Sequence, residues 1–145
     1  MRYAQLVPGT VLHAGPRAVT EAEILEFARR YDPQSFHVDR AAAAASRWGG
    51  LIASGWMTCA IAMELGVRHV LDGSESFGSP GIEELRWEQP VRPGDSLRLT
   101  LTVLGARVSS SGEVGIVRWQ WELHNQDQVR VLSLIATNFF ELSKA

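Results

Sequence analysis

The feature that most constrains the fold is a helix-forming run over residues 54–71 that is apolar on nearly every side. After a polar start at Ser54 and Gly55, the only charged or imidazole side chains in this run are Glu64, Arg68 and His69. A helix that is apolar almost all round has to be buried against other elements. The sequence therefore predicts a long central core helix that the rest of the chain covers.

The second half of the chain has the periodicity of strands. Apolar residues alternate with polar ones around Leu85 and Trp87, over residues 97–103 and over residues 116–123, and a last apolar run covers residues 129–140. A period of two predicts half-buried strands. Together they predict a meander of about four antiparallel strands, after an extended segment at residues 9–19. Since the helices come between, we expect an α+β fold in which an antiparallel sheet wraps around the central helix.

Turn and cap signals define the connections. Thr20 and Glu23 form a capping box that predicts a helix start, and Pro33 should end that helix, which leaves Asp32 at its end. Asp39 should cap a second short helix over residues 40–46, with His37 in the loop before it. Residues 72–80 are rich in glycine and serine and are predicted to be a loop.

Composition limits the classes of function. The chain has 145 residues and 46% hydrophobic content, which predicts one domain over residues 1–145. Its net charge of −2 includes no basic block, so a nucleic-acid partner is not expected. The single cysteine and the absence of metal-ligand spacing predict a cytoplasmic protein without an intramolecular disulfide or a metal. No apolar run is long enough to predict a membrane span.

Three residues have the types and positions that acid–base chemistry at a carbonyl group requires. Asp32 and His37 lie five positions apart, and Gly55 begins the central helix. Asp32 alone is typical of a turn cap, and His37 alone is typical of a structural histidine. In combination with a helix N-terminus, whose free N–H groups can bind an oxyanion, the three favour an active site.

These residues also carry a family resemblance. The segments YDPQSFHVD (31–39) and GGLIASGW (49–56) resemble the hydratase signature of MaoC-like hot-dog proteins, which include the (R)-specific enoyl-CoA hydratases, and PVRPGD (90–95) resembles a common hot-dog turn. The resemblance implies a hot-dog fold, catalytic roles for Asp32 and His37, and a thioester-binding N–H at Gly55. It also implies a coenzyme A thioester as substrate, no separate cofactor, and a homodimer with the acyl group at the subunit interface.

The sequence departs from the family pattern at the site itself. Pro33 directly follows the aspartate, Gln34 replaces an asparagine, and Ser54 stands where a histidine often precedes the glycine. We assign Ser54 no catalytic part and predict that it lines the substrate pocket with Phe36 and Trp56.

The predicted reaction is the hydration of a 2-enoyl-CoA or the reverse dehydration, with the acyl group left open. The alternatives are a hot-dog acyl-CoA thioesterase and a non-catalytic acyl-CoA-binding subunit. Three arginines are interpreted as solvated strand charges rather than as ligands of the coenzyme A phosphates, namely Arg86, Arg92 and Arg118.

Overall fold

The computed structural model describes residues 1–142, which form four helices and five strands with short helical turns between them. The helices are α1 (Glu21–Tyr31), α2 (Ser35–Val38), α3 (Arg40–Ala45) and α4 (Gly55–Gly66), and a π-helical turn at Val67–Leu71 extends α4. The strands are β1 (Val11–Ala18), β2 (Ser76–Trp87), β3 (Ser96–Val108), β4 (Val114–His124) and β5 (Arg130–Glu141).

All five strands join one antiparallel sheet in the order β1-β3-β4-β5-β2. Strands β3, β4 and β5 form the predicted meander, but β2 does not pair with β3. It lies at the far edge beside β5, where Trp87 is opposite Leu132. The predicted turn at residues 90–95 therefore carries the chain from one edge of the sheet towards the other rather than closing a hairpin.

The prediction of a loop over residues 72–80 is wrong for its second half. Strand β2 begins at Ser76, and Ser76 and Gly78 are opposite Phe140 and Phe139 of β5. Glycine and serine are poor strand formers, but pairing with the long β5 holds this segment extended. The register shifts at three places along β2, as is common at sheet edges.

Helix α4 packs on the sheet as predicted and provides the centre of the core. Met57, Ile61, Ala62 and Leu65 join one buried cluster with residues of every strand except β2. The helix is not covered all round, because Trp56 and Met63 are 58% and 47% exposed. Among residues 1–142, no helix is long and apolar enough to cross a membrane.

The local signals before α4 are confirmed with one exception. The Thr20 hydroxyl accepts from the Glu23 N–H at 3.2 Å, and the Asp39 carboxylate accepts from the Ala42 N–H at 3.0 Å. The exception is His37, which lies within the short helix α2 rather than in a loop. Helices α1, α2 and α3 pack around a small second core formed by Leu25, Phe36, Ala43 and Leu51.

Candidate active site

The structure brings Asp32 and His37 into contact beside the start of α4. Asp32 is the C-cap of α1, and the two residues that follow it lead directly into α2, which carries His37. The Asp32 Oδ2 atom lies 3.3 Å from His37 Nε2. The predicted acid and imidazole therefore form a pair.

The orientation of His37 is fixed by its other ring nitrogen. Nδ1 lies 2.7 Å from the carbonyl oxygen of Ile52, and His37 is only 4% exposed. A carbonyl oxygen only accepts hydrogen bonds, so Nδ1 carries the proton and donates it. This bond leaves Nε2 directed at Asp32 and sets which nitrogen can exchange a proton there.

Asp32 is held by two further donors. The Ser54 hydroxyl donates to Oδ2 at 2.8 Å, and the Gln34 amide donates to Oδ1 at 2.8 Å. Burial by itself raises the pKa of the Asp32 carboxyl, but the hydrogen bonds from Gln34 and Ser54 and the charge of His37 outweigh it and lower the pKa below its ordinary value. The carboxyl is therefore ionised at neutral pH and is suited to accept a proton.

Gly55 is the first residue of α4, with Ser54 as its N-cap. Its N–H has no acceptor within its own helix, because the first four N–H groups of a helix lack a carbonyl partner. The indole of Trp87 lies against Gly55, and its Nε1 donates to the Gly55 carbonyl at 2.9 Å. Gly55 thus offers a free helix-terminal N–H donor, while the indole of Trp87 fills the space that a side chain at this position would occupy.

His37 and Gly55 open into the same cavity, which has a volume of about 270 Å³. Buried residues of the loop before α4 and of the crossover after β2 form its inner wall, and Trp48, Trp87 and Gln89 lie around it. Asp32 does not line this cavity, but it contacts His37, which does. The arrangement can hold a carbonyl group near the Gly55 N–H while an acid–histidine pair acts on a neighbouring atom.

None of the three predicted pocket residues lines this cavity, and their place in a substrate pocket stays a prediction. Ser54 is fully buried and contacts Asp32. Phe36 packs in the second core with its ring 4.4 Å from that of His37. Trp56 is exposed and packs edge-on against Trp87 at 5.2 Å. Their side chains support the site from outside the cavity.

Three residues of the site were missed by sequence reasoning. Gln34 was noted only as a departure from a motif, although its position two residues after Asp32 suits a local hydrogen bond. Ile52 contributes a carbonyl oxygen, which no side-chain pattern can indicate. Trp87 follows a strand pattern and gave no sign that its ring reaches the start of α4.

The arginines near the site have different surroundings. Arg118 pairs with Glu83 at 3.2 Å, as expected for a solvated strand charge. Arg92 donates to the carbonyl oxygen of Trp48 at 2.5 Å, beside the cavity. Within residues 1–142, no group of three or more His, Cys, Asp or Glu side chains is arranged to hold a metal ion.

An antiparallel sheet of this order packed on one central helix is the hot-dog fold, and an acid–histidine pair lies at the N-terminus of that helix. The chain belongs to the MaoC-like domain family, whose model matches residues 4–121. The predicted family and hot-dog fold are thereby confirmed.

The chain is also similar to individual proteins over most of its length. The uncharacterised protein YdeM of Bacillus subtilis is 30% identical over 131 residues, which are 90% of this chain and 92% of YdeM. The MaoC-like dehydratase of Rhodospirillum rubrum superposes with a TM-score of 0.88 at 37% identity, over 95% of this chain and 94% of that one. The (R)-hydratase PhaJ1 of Pseudomonas aeruginosa shares the fold, with a TM-score of 0.76 at 24% identity, over 96% of this chain and 84% of PhaJ1.

Proposed function

We propose that this protein is a hydro-lyase that adds water to a 2-enoyl-CoA, or removes it from a 3-hydroxyacyl-CoA. The observation that carries the proposal is the pair formed by Asp32 and His37, 3.3 Å apart, at the N-terminus of the helix whose first N–H is that of Gly55. Membership of the MaoC-like family supports the same reaction type. Coenzyme A enters as part of the substrate, and the reaction needs no separate cofactor.

In the proposed step, a water molecule hydrogen-bonds both Asp32 Oδ2 and His37 Nε2. Its oxygen forms a bond to the β carbon of the enoyl group while the carbon–carbon double bond opens towards the thioester. One proton of the water passes to the Asp32–His37 pair, and the pair delivers a proton to the α carbon. The Asp32 carboxylate is ionised at neutral pH and can therefore accept this proton.

The negative charge that develops on the thioester oxygen is stabilised by the N–H of Gly55. This group lies at the positive end of the α4 dipole, where a donor is suited to an oxyanion. Losing one such donor typically costs about 3 kcal/mol in the barrier.

The test is turnover of crotonyl-CoA and longer enoyl-CoAs by the purified chain, measured as loss of enoyl absorbance. Asp32→Asn and His37→Ala should each lower kcat by about 100-fold or more, as is typical for loss of a positioned acid or base. Asp127→Asn and His69→Ala are matched controls, since both residues are exposed and lie outside the site. Equal turnover by the site variants and the wild type would falsify the proposal.

The same assay separates the alternatives. A thioesterase would release free thiol from a saturated acyl-CoA, so thiol release is measured in parallel with the loss of enoyl absorbance. A non-catalytic subunit would bind acyl-CoA without either signal. Hydration without thiol release supports the proposal over both.

The proposed assembly is a homodimer. Strand β2 forms an open edge of the sheet, and its exposed apolar side chains Phe77, Ile82 and Trp87 lie on the same strand, while Trp56 and Met63 are exposed on α4. An open apolar edge favours pairing with a second copy of the chain. Sedimentation should show a dimer for the wild type and a shift towards monomer for Ile82→Glu. A wild-type monomer at all concentrations would contradict this assembly.

A further inference from the structure

We propose that Trp87 limits the length of the acyl group, because it separates the active-site cavity from a second, apolar cavity that takes the distal part of a longer acyl chain. The inference rests on the proposed function and goes beyond it by naming the class of substrate. The wild-type protein should prefer short enoyl thioesters.

The second cavity lies between α4 and the sheet. It has a volume of about 270 Å³ and is lined mainly by apolar side chains, including Cys59, Ala62, Met63, Ile82, Leu134 and Ala136. These residues come from α4, β2 and β5. A cavity of this composition suits an alkyl chain, since burial of each methylene group is favourable.

The two cavities are neighbours along one helix. Gly55 and Thr58 line the active-site cavity, and Cys59 lines the second one. Because α4 rises about 1.5 Å per residue, Gly55 and Cys59 are separated by about 6 Å along its axis. An acyl chain that starts near the Gly55 N–H and follows α4 for one turn reaches the second cavity.

Trp87 lines the active-site cavity and packs on Gly55, the first residue of α4. Its Nε1 donates to the Gly55 carbonyl at 2.9 Å, and the ring of Trp56 packs edge-on against it. The indole thus packs on the first turn of α4, one turn before Cys59 of the second cavity.

The space on the active-site side of Trp87 is small. A volume of about 270 Å³ lies below the range of roughly 300 to 1,000 Å³ that is usual for pockets of drug-sized ligands. A crotonyl group adds one methyl beyond its reacting carbons, whereas an octenoyl group has to extend past the indole. Replacing Trp87 with a small residue should therefore join the two cavities.

The experiment compares kcat/KM for crotonyl-CoA and oct-2-enoyl-CoA in the wild type, Trp87→Ala and Leu104→Ala. Leu104 is an exposed apolar residue of β3 that lines neither cavity. The ratio of octenoyl to crotonyl activity should rise about tenfold or more in Trp87→Ala, the scale on which pockets discriminate methylene groups. It should stay within about twofold of the wild type in Leu104→Ala. An unchanged ratio in folded Trp87→Ala would overturn the inference.

Two further variants keep the inference testable if Trp87→Ala does not fold, and they test whether the second cavity binds the chain. Trp87→Leu keeps apolar packing at the boundary and should raise the ratio in the same direction. Adding Ala136→Phe to Trp87→Leu fills the second cavity and should remove that gain. If the double variant keeps the gain, the long chain is not bound in this cavity and the inference fails.

Affinity provides a readout that does not depend on turnover. Calorimetric titration with butyryl-CoA and octanoyl-CoA should show that Trp87→Leu increases the relative affinity for octanoyl-CoA. If the wild type hydrates no enoyl-CoA, the proposed reaction fails, while the two affinities still test the role of Trp87. If hydration occurs and neither ratio changes, only the role of Trp87 is wrong.

Discussion

Substituting Gly55 with alanine should destabilise the protein through one contact. A Cβ atom at this position would lie 2.4 Å from Trp87 Cε2 and 2.7 Å from both Cδ2 and Nε1. The indole must therefore move and lose its 2.9 Å hydrogen bond to the Gly55 carbonyl. Overpacking costs about 1–3 kcal/mol, the lost hydrogen bond costs about 1 kcal/mol, and the better helix propensity of alanine returns at most about 1 kcal/mol. We expect Gly55→Ala to lower the free energy of unfolding by about 1–3 kcal/mol.

A double-mutant cycle tests this reasoning, because Trp87→Ala removes the atoms that the new methyl group meets. In the Trp87→Ala background, Gly55→Ala should be neutral or stabilising by up to about 1 kcal/mol. Urea denaturation at one fixed protein concentration measures all four variants. Gly105→Ala is the control, since a Cβ there meets nothing within 4 Å. An equal cost of Gly55→Ala in both backgrounds would refute the reasoning.

Three other outcomes follow from the hydrogen bonds. Ser54→Ala removes a hydrogen-bond donor that lowers the pKa of Asp32. The acid limb of the pH profile of kcat/KM should therefore move to higher pH. If the limb does not move, Ser54 does not act through Asp32. Because the pKa of Asp32 is lower in the folded state than in the unfolded state, its carboxylate stabilises the fold at neutral pH, and this stability is lost as the pH falls through the folded-state pKa. Asp32→Asn should therefore narrow the difference in unfolding free energy between neutral and acidic pH. Asn138→Leu leaves the buried Trp119 Nε1 without its 2.9 Å acceptor and should cost about 1–3 kcal/mol in urea denaturation, whereas an unchanged midpoint would contradict that estimate.

The parts of the fold that could be predicted depend on neighbours in the chain. The capping box at Thr20 and the cap at Asp39 are contacts across three residues, and the period of two along β3 and β4 is a local pattern. The position of β2 is not local, because it pairs with β5 about fifty residues later. The composition of residues 76–80 indicates a loop, and only that distant pairing makes the segment a strand.

In the candidate site too, contacts between residues close in sequence could be predicted and contacts between distant residues could not. Asp32 and His37 are close in sequence, so their pairing across the end of α1 was within reach of motif reasoning. The Ser54 hydroxyl donates to Asp32, 22 positions away, and no local pattern indicates this hydrogen bond. The contact between Trp87 and Gly55 spans 32 positions and is set by packing of β2 on α4. Sequence patterns correctly place Gly55 at a helix start and Trp87 in a strand, but they contain no information about the contact between the two residues.

Trp87 is the last residue of β2 and connects the proposed subunit interface with the proposed oxyanion donor. The strand is an open edge of the sheet, and its final side chain holds the backbone that carries the proposed oxyanion donor. In the proposed homodimer, a subunit that docks along this edge would act on the proposed reacting centre through one indole ring. Dilution that separates the subunits should lower specific activity before it unfolds the chain, so activity itself becomes a measure of assembly.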